Sequence, residues 1–309
     1  MLTLPIDVVP PLQFSGHETF PLRQLWLRKA FDVLSSSEES VSRSVFADED
    51  AIARFGVGKN MVAAIKHWSL ATEFMEETPA GTYRPTALAN SIFDEPGFDP
   101  YSEHVTTPWL IHWKLAGVAP RSTTYWWVFN CVVQQSFDKD SIVKSLRQYC
   151  SERQYRVSNS TLVRDVDVCV SSYVPRTGNG SKEEAAEPLL GELSLISPQV
   201  GPRGIFVFKR GPKRTLSPYL FTYSLIEFWR RRSPDTSVLS FDRIAHDYGS
   251  PGRVFKLDEN SVGELVVTLE SLTRGLIGWS DSAGVRQVHR TGSISGNRIL
   301  EQMLRKAYE

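Results

Sequence analysis

The chain has 309 residues, with 35 lysines and arginines against 35 aspartates and glutamates, so its formal net charge is zero. That length allows two or three domains with cores of their own, and 41% hydrophobic and 23% charged content is ordinary for a globular protein. Zero net charge excludes a wholly electrostatic, histone-like nucleic-acid binder, and no run of about 18 apolar residues marks a membrane span.

The opening MLTLPIDVVPP lacks the charged start and apolar length of a signal peptide, so a cytoplasmic location is expected. Next, QFSGHETFPLRQLWLRKAFDVL predicts a helix capped by Thr19, with Pro21 in its first turn, where a missing N–H is tolerated. Leu22, Leu25, Trp26, Lys29 and Val33 fall at helical spacing along it. His17 and Glu18 stand side by side in SGHETF, but no further His or carboxylate lies at ligand spacing. A turn packed by Phe14 and Phe20 is the expectation there.

ADEDAIARFGVGKNMVAAIKHWSLATEFMEE predicts two helices, roughly Asp48 to Phe55 and Lys59 to Thr72. Its Gly-Val-Gly-Lys resembles the end of a phosphate-binding loop. Such a loop needs a glycine where this chain has Ala53, and a Ser or Thr where it has Asn60. The segment before it is also a polar helix and not a buried strand. The glycines read instead as a helix-turn-helix elbow, with Gly56 supplying a positive φ and Val57, Val62 and Ile65 facing the core. Lys59, Asn60, Ala63, Lys66 and His67 are then left on the outer face, where Asn can pair with adenine and Lys with guanine or phosphate. EFMEETPAGTYRPT reads as a hairpin, whose Arg84 is a further candidate DNA contact. Three helices and a hairpin are the order of a winged helix-turn-helix, a unit that also serves for protein docking.

From Tyr101 to Pro175 the chain reads as helical and tryptophan-rich, with Asn159 or Ser160 capping its last helix. Cys131, Cys150 and Cys169 sit among apolar residues without a C-x-x-C pair, so buried free thiols are expected in place of a disulfide framework or zinc ribbon. Asp165 and Asp167 fall on different faces of one helix and form no paired site. TGNGSKEEAAEP reads as a surface loop, and LLGELSLI and GIFVFKRG as strands. Three helical stretches, the last closed by Gly275, and the hairpin LIGWSDSAGVRQVHR then suggest a second winged helix with an unusually long loop from Ser250 to Glu259.

Arg203 to Arg232 holds eight basic residues and one acidic residue, Glu227. Lys209, Arg210, Lys213 and Arg214 cluster on a Gly/Pro turn, and Arg230, Arg231 and Arg232 end a helix, where they complement its dipole. Such a cluster suits phosphate contact; Arg286, His289 and Arg290 on the second hairpin are lesser candidates. No nucleophile elbow, Cys/His pair or H-E-x-x-H occurs, so no catalytic residue, metal ligand or cofactor is assigned.

The blocks SGHETFPLR, GVGKNMV, YRPTALANSIFD, DPYSEHVTTPWLIHWKLA and TLVRDVDVCVSSYVP resemble the bacterial DUF4007 family of unknown function over nearly the whole chain. Its members lie beside phosphoadenosine-phosphosulfate-reductase-like genes in DNA phosphorothioation and phage-defence loci. The resemblance therefore implies a role beside a separately encoded modification enzyme, and it carries over no catalytic residues. Together these readings lead to a mainly α (α+β) protein with winged helix-turn-helix domains at both ends: 1–100, a helical middle domain 101–188, and 189–309. The expected function is double-stranded DNA binding as an accessory or recognition subunit, with a homodimer compatible and no membrane partner. The alternatives are a scaffold that docks the modification enzyme without touching DNA and, less supported, an undetected nuclease or ATPase.

Overall fold

The apolar stripe near the N-terminus becomes a helix later than its spacing implies. In the computed structural model, which describes residues 11–174, 188–201 and 203–309, α1 spans Trp26–Leu34. Thr19 does not cap it, and Pro21 lies ahead of it. Ser15, Gly16, Glu18 and Thr19 have φ of 69°, 101°, 48° and 67°, and a right-handed helix cannot begin through such a run. The run is held from far along the chain. The Ser15 N–H and the His17 ring both meet the buried Asp165 carboxylate, at 2.8 and 2.7 Å.

The next elements arrive as expected: α2 (Ala51–Phe55), α3 (Lys59–Ala71), and the antiparallel pair β1 (Met75–Glu77) and β2 (Tyr83–Pro85), followed by α4 (Ala87–Phe93). Beyond them α5 (Thr106–Trp113) runs into a π-helical turn over Lys114–Val118, and α6 covers Thr123–Asn130. Every residue of α5 and α6 is buried, which accounts for the lack of a polar face in their sequences. Their polar groups are satisfied inside: the Asn130 amide donates to the Ala116 and Trp126 carbonyls and accepts from the Gly249 N–H. β3 (Ser136–Asp138) leads into α7 (Lys139–Glu152), and α8 spans Asn159–Tyr173. The cap of α8 is Ser158, which accepts from the Thr161 N–H at 3.0 Å, and not the Asn159 or Ser160 expected.

LLGELSLI is only partly a strand. It opens with a 3-10 turn, Leu189–Leu193, before β4 (Ile196–Pro198). A strand would send Leu189 and Leu190 to opposite faces, whereas the turn buries both. β5 (Ile205–Phe208) lies between β3 and β4 in one antiparallel sheet. Then come α9 (Pro218–Arg232), β6 (Val238–Ser240), α10 (Phe241–His246), α11 (Pro251–Val254), α12 (Glu259–Val267) and α13 (Leu269–Leu272). β7 (Ile277–Ser282) and β8 (Val285–Arg290) form the expected hairpin, with β6 added on β8, and α14 (Asn297–Ala307) closes the chain. The long loop from Ser250 is thus partly helical. Gly252 permits it, since a Cβ there would stand 2.7 Å from the Ala245 Cα.

Close to half the chain is helical, with three small sheets among the described residues. Contacts cross both expected boundaries. β3 pairs with β5 across residue 188, the Ser15 N–H donates to the Asp165 carboxylate across residue 100, and the buried apolar residues of all three segments form one cluster. The segment TGNGSKEEAAEP lies, apart from Pro188, outside the described residues. The three cysteines are buried and free, and no helix among the described residues is long and apolar enough to cross a membrane.

Candidate nucleic-acid interface

Gly56 ends α2 in the left-handed conformation, φ 63°, with its N–H on the Ile52 carbonyl. Lys29 reaches over from α1 and donates to the Phe55 carbonyl at 2.8 Å, satisfying one open end of that short helix. The elbow therefore turns as its glycine requires. Lys59 and Asn60 open α3 as exposed side chains, while Val62, Ile65 and Trp68 are buried beneath. Lys66 is half-buried, its ammonium 5.6 Å from the centre of the Tyr83 ring. His67 is not on the outer face. It is 8% exposed and packs against His17 and Trp68, because the turn that carries His17 closes over it. Burial, then the neighbouring His17, lowers its imidazole to about 3. Arg84 is exposed and pairs with Glu76 across β1 at 2.7 Å.

The second group converges as its sequence spacing suggests. Lys209, Arg210, Lys213 and Arg214 follow β5 on a turn in which Gly211 has φ 107°. Together with Trp109, Gln135 and Thr215 they line a cavity of about 590 Å³. Lys209 and Arg214 are exposed. Arg210 donates to the Val133 carbonyl at 3.1 Å, and Lys213 to the Lys209 carbonyl at 2.6 Å. Burial lowers the Lys213 ammonium to about 8; Asp258 opposes that shift, while Lys209 and Arg210 add to it.

A buried lysine that the sequence did not single out lies behind this turn. Lys256 is 2% exposed and donates to the Phe129 carbonyl at 2.7 Å, with its ammonium 4.1 Å from the centre of the Phe208 ring. Burial, then Arg210 and Arg253, push it well below the usual lysine range. Like charges are thus crowded and partly desolvated around one turn, an arrangement that a bound anion relieves. The only advance sign of Lys256 was its place in the apolar stretch RVFKLD.

Three of the remaining candidate arginines are tied to the protein's own backbone. Arg230 donates to the Ile294 and Gly296 carbonyls, and Arg231 to those of Gly117 and Glu227. Arg290 donates to the Thr236 and Pro234 carbonyls. Their guanidinium groups act as clamps at the end of α9. Arg286 stacks over Phe241, 3.6 Å from the ring centre. His17 and Asp165 form a further constellation, with Thr124 donating its hydroxyl to the same carboxylate. The Thr19 N–H donates to His17 Nδ1, which leaves Nε2–H to donate to Asp165. Among the described residues no group of three or more His, Cys, Asp and Glu side chains is placed to hold a metal ion.

These features define a mixed α/β protein with a crowded basic turn after the central strand of one sheet. The chain belongs to the DUF4007 family, proteins of unknown function, whose profile matches residues 14–308. It is similar in structure to a magnesium ion-bound SspB crystal structure, with a TM-score of 0.85, and to a second SspB crystal structure, with 0.83. Sequence identity is 24% in both, over 98% of this chain and 89% of the other. None of the curated proteins matches the sequence.

Proposed function

We propose that this chain binds double-stranded DNA as an accessory or recognition subunit in a DNA phosphorothioation and phage-defence system. The modification chemistry belongs to a separate, reductase-like enzyme. The observation that carries the reading is the turn at Lys209, Arg210, Lys213 and Arg214, where burial and like charge depress Lys213 to about 8. A duplex phosphate on that turn adds counter-charge to that of Asp258. The elbow of α2 and α3 with its hairpin is read as a winged helix, whose Lys59 and Asn60 meet the groove. Lys66 and Arg84 flank that contact, and His67 takes no part. The family resemblance supports the genomic setting.

The test is fluorescence anisotropy on matched unmodified and phosphorothioate duplexes across salt concentrations, with Lys59→Glu, Lys209→Glu and Arg214→Glu. Each substitution should weaken binding and reduce the salt slope by about 1. Unchanged affinity and slope in the triple variant would refute the reading. Recovery of the reductase-like enzyme in a pull-down, with no DNA retained at moderate salt, would select the docking scaffold instead. Magnesium-dependent nicking of a supercoiled plasmid would move catalysis onto this chain.

A further inference from the structure

A second cavity, of about 880 Å³, opens beside the basic turn, between α6 and α7. Its walls carry Trp127, Phe137 and Tyr149, and its polar lining includes Gln134, Ser145 and Gln148. That volume lies within the roughly 300–1,000 Å³ typical of small-molecule sites. The Trp127 and Tyr149 rings are 4.8 Å apart, and the indole N–H is already satisfied by the Ser145 hydroxyl at 3.0 Å. Tyr149 is different. It is only 5% exposed, and its hydroxyl has no hydrogen-bond partner among the described residues. A buried hydroxyl without a partner is costly, and this one lies behind the cavity wall, out of contact with solvent.

The two cavities share one wall. Gln134 and Ser136 line the aromatic one, while Gln135, between them, lines the basic one. Arg210 donates to the Val133 carbonyl in the same segment, and Ser136 is paired with Val207 of β5. The balance of charge changes across that wall: Lys209, Arg210, Lys213 and Arg214 outnumber the single carboxylate of Glu192 on one side, and the other carries only the carboxylates of Asp138 and Glu152. A phosphate is excluded from the aromatic side and attracted to the basic side. Arg153 already lies over the Tyr149 ring, 4.6 Å from its centre, so a neutral, planar group with a π-face for Trp127 and N–H donors for the carboxylates fits the aromatic side.

We propose that the aromatic cavity receives a single nucleobase bearing an exocyclic amino group, extruded from a duplex whose backbone lies on the Lys209–Arg214 turn. This rests on the DNA-binding reading and specifies what that site takes. Extrusion carries an unstacking and unpairing penalty, smallest for a base that is already unpaired, and base–aromatic stacking corresponds to roughly 5- to 150-fold in affinity.

The experiment compares the full-length protein on a paired duplex and on the same duplex with one bulged cytosine. The wild type should favour the bulge by about fivefold or more. Ser141→Leu with Gln148→Leu narrows the cavity from two exposed positions of α7 and leaves the aromatic walls intact. It should abolish the preference while keeping paired-duplex affinity and its salt slope. If its melting temperature falls, Gln148→Leu alone serves. No preference in the wild type, or full preference in a stably folded variant, would overturn the inference. Paired-duplex binding would be untouched by that result, whereas failure of the basic-turn variants removes the underlying reading.

Discussion

Replacing Lys114 by Met probes whether the three sequence-defined segments unfold as one unit. Lys114 is 2% exposed, on the π-helical turn after α5, and its ammonium lies 2.9 Å from Glu73 and 2.8 Å from Glu227. Glu227 also accepts from the Trp113 indole at 2.6 Å and the Tyr223 hydroxyl at 3.2 Å. Burial by itself would lower the lysine and raise the carboxyl, but the attraction between them outweighs it: Lys114 is held well above 10.5 and Glu227 below 4.5. Breaking a buried pair costs about 3–5 kcal/mol, because the surviving charge stays uncompensated. The Glu227 side chain is 16% exposed, so water screens part of that charge, and about 3 kcal/mol is expected. Unfolding entropy at this chain length converts that to a fall in Tm of roughly 5 °C. The pH dependence has two limits. The stability that Glu227 adds is present above 4.5 and is lost as pH falls through its lower folded value. The contribution of Lys114 is present below 10.5 and is lost as pH rises through its higher folded value. The deficit of the variant should therefore be flat across neutral pH and shrink below about pH 4.5. Calorimetry and circular dichroism melts of the wild type, Lys114→Met and Lys114→Met/Glu227→Gln provide the readout, and the double variant should recover part of the loss. A fall under about 1 °C, two separate transitions, or a deficit unchanged in acid would refute the reasoning.

Two further outcomes follow from buried polar groups. Burial lowers His67 and His112 from 6.5 to about 3, so between those values the unfolded chain binds protons that the folded chain refuses. Denaturant unfolding should show about 1.4 kcal/mol lost per histidine between pH 7.5 and 5.5, and a flat stability profile there would contradict it. Asp165→Ala strips the acceptor from the Ser15 N–H, the His17 ring and the Thr124 hydroxyl. It should cost about 3 kcal/mol in urea unfolding, and a loss under about 1 kcal/mol would mean that the N-terminal turn is held by other contacts.

Local chemistry was legible in the sequence. The elbow at Gly56, the extent of α3, the two hairpins and the buried thiols each depend on neighbours a few positions apart, through φ preference, the 3.6-residue period or composition. The four basic residues after β5 are also close in sequence, so their convergence on one turn needed no long-range information. What lies beyond that reach was decided by tertiary contact. Asp165 meets His17 from 148 positions away and twists the chain so that α1 starts late and His67 is covered. Lys114 carried no local signal, because its partners, Glu73 and Glu227, belong to the segments on either side of its own. Arg230, Arg231 and Arg290 have the same charge as Lys209 and Arg214, and only the positions of distant carbonyls turned them into clamps. Charge is a property of the residue, and its availability to a partner is a property of what else is packed within hydrogen-bond reach.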